Sequence, residues 1–126
     1  MTLKFISTDK APAAVGPYSQ GVRAGNIIFT SGQLPIDLET GELSKGDIKK
    51  ETRLCLEHIK AVLEAEGASI ENIVKVTVFV TDMNNFGTIN EVYEDFFNGH
   101  KPARSLVQVS QLPKGADIEI EAIAVI

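Results

Sequence analysis

The chain has 126 residues, 44% apolar and 23% charged, which is typical of a single globular domain (residues 1–126) and excludes a disordered or collagen-like chain. Seventeen acidic and twelve basic residues give a net charge of −5, which argues against a protein that follows the phosphates of nucleic acid. No apolar run reaches the ~18 residues of a membrane span, and the first ten residues lack the apolar stretch of a signal peptide. With Cys55 as the one cysteine, these features predict a cytoplasmic protein without membrane or nucleic-acid partners.

The first third of the chain predicts short strands. Residues 3–7 alternate and indicate an edge strand, and residues 20–24 and 27–31 form a hairpin around Gly25-Asn26. The intervening stretch, residues 8–19, contains two prolines and a glycine and is therefore predicted as a loop of fixed path.

A helix is predicted from Asp47 to about Gly67, with Asp47 as its N-cap and Gly67 after its last turn. Its apolar face is formed by residues at helical spacing: Ile48, Cys55, Ile59, Val62 and Leu63. Cys55 is interpreted as a core residue, and His58, which borders this face, as an ordinary surface or boundary residue.

Residues 73–80 alternate and predict a strand with Val74, Val76, Val78 and Val80 on one face. A second helix is predicted from about Asn84 to Asn98, capped by Asp82. Its apolar stripe comprises Phe86, Ile89, Tyr93, Phe96 and Phe97. Residues 102–109 and 117–126 predict two further strands, joined by a loop at residues 112–115.

This order of elements predicts an α+β fold, a sheet with two helices on one face. The last strand places Ile118, Ile120, Ala122 and Ala124 on one face, yet its other face also carries Ile123 and Val125. Since no helix is left to cover that second face, the pattern predicts that it is buried against further copies of the chain.

Polar and charged residues that can bind a small ligand occur in three places: around Tyr18, at Ser31-Gly32, and at Arg104 followed by Glu119. An arginine can bind a carboxylate through two parallel hydrogen bonds. From the pattern alone, however, the favoured interpretation of Arg104 is a surface or interface salt bridge, and that of Glu119 is a solvated or paired acid. Two histidines and one cysteine without ligand spacing give no indication of a metal site, and no glycine-rich phosphate motif occurs.

Several motifs occur together in a specific order: Ala11–Gln20 (APAAVGPYSQ), Thr30–Gln33 (TSGQ), Val74–Val80, Asn90–Tyr93, Pro102–Ser105 (PARS), and Leu112–Lys114 leading to Ile118–Ala122 (IEIEA). From residue 11 to 125 the chain therefore resembles the RidA (YjgF) family. The resemblance implies a chorismate-mutase-like subunit with a mixed sheet. It also implies a homotrimeric barrel, with the helices outside and three clefts between neighbouring subunits.

The resemblance further implies hydrolysis of 2-imino acids and their enamine tautomers to 2-keto acids and ammonia. The imines include 2-iminobutanoate and 2-iminopropanoate, and their removal protects against reactive products of pyridoxal-phosphate enzymes. The ligand would be a small imino or keto acid, with no cofactor and no metal.

The roles that the resemblance implies are specific to single residues. Arg104 would bind the substrate carboxylate, and Glu119 would position or activate water. The other cleft residues would be Tyr18, Ser31, Gly32, Asn90 and Leu106. Leu106 stands where many members have cysteine, and its backbone carbonyl, which any residue supplies, would contact the ligand.

Two other functions are compatible with the same residues. A trimer with the same clefts can bind small carboxylates as a regulatory or interaction protein without catalysis. A ribonuclease or translation-inhibitor function has been attached to some relatives, and the acidic balance of this chain argues against it.

Overall fold

A six-stranded sheet forms the centre of the protein, which a computed structural model describes over residues 2–126. The strands are β1 (Leu3–Ile6), β2 (Gly21–Ala24), β3 (Ile27–Thr30), β4 (Ile73–Val80), β5 (Ala103–Gln108) and β6 (Ile118–Val125). Their order across the sheet is β1-β2-β3-β6-β4-β5, and only β4 and β5 pair in parallel. The predicted α+β fold with a mixed sheet is therefore confirmed.

Two helices, α1 (Ile48–Glu64) and α2 (Phe86–Phe97), cover one face of this sheet. The side chain of Asp47 accepts a hydrogen bond from the Lys50 amide, as its predicted role of N-cap requires. Asp82 does not cap α2, because its side chain accepts from the Asn84 amide and closes a short 3₁₀ turn, Met83–Asn85, before the helix. Helix α2 consequently begins at Phe86.

The core lies between these helices and the sheet, and it contains Cys55, as predicted. The prediction for His58 is wrong, because the chain around Ile36 lies against this side of α1 and buries the ring. Its Nε2 is 2.7 Å from the Ile36 carbonyl oxygen, and burial lowers the pKa of His58. Phe86, predicted in the apolar stripe of the second helix, is instead partly exposed at the first turn of α2.

The strict alternation predicted for residues 73–80 fails at one end of β4. A shift of register against β6 between Ile73 and Lys75 buries Ile73 and leaves Val74 47% exposed. This irregularity turns the first residue of the strand toward the helices in place of the second.

The opposite face of the sheet is not covered by any element between residues 2 and 126. Apolar side chains are exposed on β1, on β3 and at the end of β6: Phe5, Ile27, Phe29 and Val125. A face of this kind fits the predicted association with further copies, whose number stays a prediction. No helix in this part of the chain is long and apolar enough to span a membrane.

Candidate functional site

Four of the predicted site residues lie on the wall of one cavity of about 530 Å³: Tyr18, Ser31, Gly32 and Glu119. Glu119 is the second residue of β6, and its side chain projects from the sheet face opposite the helices, because Ile118 and Ile120 point into the core. Ser31 and Gly32 follow β3, where the chain remains next to β6 through the Gln33–Ile120 bridge. The fold therefore brings distant parts of the sequence together around one carboxylate.

The buried side chain of Gln20 fixes the loop that carries Tyr18. Its Nε2 donates to the Pro12 carbonyl at 2.7 Å and to the Thr8 carbonyl at 3.0 Å, and its Oε1 accepts from the Thr8 amide at 2.6 Å. No role for Gln20 follows from the sequence pattern. The only signal was a polar side chain directly before a strand.

Ser31 has a defined hydrogen-bonding state. Its hydroxyl donates to the carbonyl of Ser19, and its amide donates to the Gln20 carbonyl at 2.9 Å. The hydroxyl proton is therefore engaged within the protein. In this conformation Ser31 offers a ligand only the lone pairs of its oxygen.

The carboxyl group of Glu119 lies directly over Gly32. A Cβ atom at position 32 would be 2.6 Å from Glu119 Oε2 and 2.7 Å from its Cδ, so only glycine leaves room for this side chain as it is placed. Burial, and to a smaller degree the nearby Glu121, raises the pKa of Glu119. The group is therefore easier to protonate than an ordinary surface glutamate.

Replacing Gly32 by alanine is expected to lower any activity that depends on the Glu119 carboxyl group about tenfold or more, since ångström-scale displacement of a reacting group has effects of this size. The new methyl group would displace the Glu119 carboxylate, while the backbone of Gly32 is not in the left-handed region. Gly87→Ala is the matched control, because nothing lies within 4 Å of that Cβ. Activity measurements and thermal melting check both variants, and unchanged activity of Gly32→Ala would contradict the placement of Glu119.

Arg104 lines a different cavity, of about 370 Å³, together with Asn90 and Tyr93. Its Nη1 donates to Asn90 Oδ1 at 2.7 Å, and its guanidinium carbon lies 4.7 Å from the centre of the Tyr93 ring. The centre of the Phe86 ring, which like Tyr93 belongs to α2, is 5.8 Å from the same guanidinium carbon. Arg104 is thus oriented by one hydrogen bond and by stacking on aromatic rings, without a carboxylate partner within residues 2–126.

The aromatic residues beside Arg104 were predicted only as core. Tyr93 does contact the core, but it also supports the guanidinium, and its buried hydroxyl has no hydrogen-bond partner among the described residues. Burial raises the pKa of Tyr93. The sequence signal for this role was the spacing of Phe86, Asn90 and Tyr93, which places them on adjoining turns of one helix.

Leu106 lies near Arg104 on β5, with its side chain packed against the core. The amide of Val109 donates to the Val80 carbonyl, at 2.8 Å. The backbone N–H and C=O groups of successive residues in a strand point alternately to its two sides. Leu106 is three residues before Val109, so its backbone groups point away from β4. The Leu106 carbonyl therefore points to the outer edge of the sheet, where a ligand or another chain can reach it.

Arg104 and Glu119 lie on opposite faces of the sheet within one chain. Arg104 is paired with Val76, which is paired with Ala122 of β6, three residues from Glu119. Three residues along a strand and two strand spacings across it separate their backbones by about 14 Å. A single chain therefore does not bring Arg104, Asn90 and Leu106 together with the Glu119 cavity.

No group of three or more His, Cys, Asp or Glu side chains within residues 2–126 is arranged to hold a metal ion. The absence of a metal or cofactor stays a prediction from the sequence.

Residues 8–126 match the family model described as Endoribonuclease L-PSP. The chain is 53% identical to the 2-iminobutanoate/2-iminopropanoate deaminase of Escherichia coli, over 97% of both chains. It is 55% identical to a RutC family protein of Pyrococcus abyssi, over 98% of both chains. Among solved structures, E. coli TdcF with bound serine superimposes with a TM-score of 0.93, at 52% identity over 98% of both chains.

Proposed function

The chain belongs to the Endoribonuclease L-PSP family, also called the RidA or YjgF family, and we propose that it hydrolyses 2-imino acids to 2-keto acids and ammonia. The observation that carries this proposal is the half-buried Glu119 carboxyl group, with its raised pKa, on the wall of a cavity sized for a small metabolite. The deaminase name of the E. coli relative supports the same reaction. The location we propose is the cytoplasm.

We further propose that the complete site forms between two subunits of a homotrimer. Arg104 is oriented but lacks an acidic partner among the described residues, and Glu119 lies on the other face of its own sheet. A neighbouring copy placed against the uncovered face can supply Arg104, Asn90 and the Leu106 carbonyl to the cavity of Glu119. Exposed apolar residues on that face, such as Phe29, support burial against another copy.

In the proposed reaction, Arg104 binds the substrate carboxylate with its free guanidinium edge and holds the imine carbon near Glu119. The Glu119 carboxylate takes a proton from water as the water oxygen bonds to that carbon. Glu119 passes this proton to the imine nitrogen, which gives a carbinolamine. Glu119 then takes the proton of the new hydroxyl group and delivers it to the same nitrogen, so that the carbon–nitrogen bond breaks as the carbonyl forms and ammonia leaves. The sum is imino acid plus water giving keto acid plus ammonia, with no electrons transferred.

The imine carbon is electrophilic, so orientation and proton transfer suffice to accelerate its hydrolysis. The proposed chemistry therefore needs no nucleophilic side chain. Tyr18 and Gly32 define the wall against which the ligand lies, and Ser31 presents an acceptor oxygen to it.

The test couples the protein to threonine dehydratase, which releases 2-iminobutanoate from threonine. We expect keto acid and ammonia to appear faster when the protein is added and not when heat-denatured protein is added. Because free imine also hydrolyses spontaneously, the dehydratase is kept in excess and the imine is trapped with semicarbazide to measure what remains. An unchanged rate of imine loss would refute the deaminase.

A second candidate is a carboxylate-binding regulatory trimer. The bound serine in the TdcF structure is the observation that favours it, since serine carries a carboxylate. Binding of 2-ketobutyrate without any acceleration of imine loss would establish this function instead. The ribonuclease implied by the family description requires RNA cleavage, which we expect to be absent given the net charge of −5.

A further inference from the structure

A strained lysine lies at the rim of the Glu119 cavity. Lys114 belongs to the short turn Pro113–Gly115 and has φ 61° and ψ 13°, in the left-handed region. The other non-glycine residue with positive φ in the described chain is Asn98, a type that tolerates this conformation, at the C-cap of α2. A lysine has no such tolerance, and strained residues of this kind are frequent at functional sites.

The turn that carries Lys114 is held from outside the cavity. Lys45 Nζ donates to the Gly115 carbonyl at 2.7 Å and lies 2.9 Å from Asp117 Oδ1. These contacts fix the backbone that follows Lys114 in the chain. The Lys114 side chain itself is exposed and forms no ion pair or hydrogen bond with any residue from 2 to 126.

The charges around this cavity indicate a role for the free ammonium group of Lys114. Lys114 is the only cation among the residues that line the cavity, and Glu119 is the only acid. Glu121 adds negative charge near Glu119, and the whole chain carries −5. An anionic ligand that approaches the Glu119 carboxylate is therefore repelled unless a cation offsets this field.

We propose that Lys114 is a specificity-determining residue that attracts the substrate carboxylate to the mouth of the Glu119 cavity before Arg104 binds it. This inference rests on the proposed function, because it assigns the selection of anionic imino acids to the same cavity. Lys114 does not touch the reacting atoms in this scheme. It acts through its charge on the entry of the substrate and leaves the chemical step unchanged.

The test compares Lys114→Asn with Lys114→Arg. Asparagine tolerates the left-handed backbone and removes the charge, whereas arginine keeps the charge. We expect Lys114→Asn to lower kcat/KM about fivefold at low salt with kcat unchanged, and the difference to shrink at high ionic strength. Lys114→Arg should retain wild-type values, as should Lys49→Asn, which removes an exposed lysine on α1, outside the cavity lining.

Thermal melting separates this effect from a folding defect, because Lys114→Asn is expected to melt at or above the wild-type temperature. Equal kcat/KM in wild type and Lys114→Asn, or a loss confined to kcat at every salt concentration, would overturn the inference while the deaminase stands. Calorimetric affinity for 2-ketobutyrate provides a readout that does not depend on catalysis. Equal affinity of the two proteins at low salt overturns the inference, and weaker binding by Lys114→Asn supports it even if wild type fails to hydrolyse imines.

Discussion

Replacing Arg104 by alanine is expected to abolish imine hydrolysis through the loss of substrate binding. Removing one partner of a charge pair shielded from solvent costs about 2–5 kcal/mol, which corresponds to roughly 30-fold to several-thousand-fold in affinity. The guanidinium is already oriented by Asn90 and Tyr93, so its free edge is available for a carboxylate. Titration calorimetry with 2-ketobutyrate and the coupled dehydratase assay measure the two losses.

Two further variants separate the charge of Arg104 from its geometry. Arg104→Lys keeps the charge but neither the planar fork nor the stacking on Tyr93, so we expect it to recover little of the affinity. Arg53→Ala is the control, since Arg53 pairs with Asp95 at 2.6 Å on the exposed side of the helices. Wild-type turnover in Arg104→Ala would show that the substrate carboxylate is bound elsewhere.

Replacing Glu119 by glutamine is expected to lower kcat about 10²–10⁴-fold, the usual range for loss of a general base. Glutamine has the same shape and fits the space above Gly32, so binding of 2-ketobutyrate should remain close to wild type. If binding collapses together with turnover, Glu119 has a structural role instead.

The pH dependence of turnover should report the same carboxyl group. Burial and Glu121 raise the pKa of Glu119, and the proposed base is its deprotonated form. Wild-type kcat/KM, which reports the groups of the free enzyme, should therefore fall as the pH decreases through a pKa raised above the usual value of glutamate, and Glu119→Gln should lack this acidic limb. Glu121→Gln is the control, because it retains the base but should move the limb to lower pH.

The sequence predicted best those parts of the fold whose structure depends only on local residue spacing and not on contacts with another segment. Helix α1 and its Asp47 cap follow from spacing and from a local side-chain hydrogen bond. The exposed Val74 and the buried His58 did not follow, because each depends on another segment. The register of β6 decides the first, and the path of the chain around Ile36 decides the second.

The candidate site was predictable as a set of residues but not as an arrangement. That Glu119 and Glu121 share a face follows from the two-residue period of a strand. That Arg104 lies on the opposite face depends on the register of β5 against β4 and of β4 against β6, which no short pattern reveals. The strain at Lys114 was equally hidden, since the Pro113–Gly115 turn takes its shape partly from contacts with Lys45.

The placement of Arg104 and Glu119 on opposite faces of one sheet has a consequence for inheritance. In the proposed trimer each cleft takes Arg104 from one subunit and Glu119 from the next. A chain in which one of these residues is substituted still carries the other one intact. Two alleles, one lacking Arg104 and one lacking Glu119, are then each inactive alone. When the two chains are expressed together and assemble at random, each pair of neighbouring subunits has four possible combinations. Only one of these combinations places an intact Arg104 and an intact Glu119 in the same cleft, so roughly a quarter of the clefts are restored.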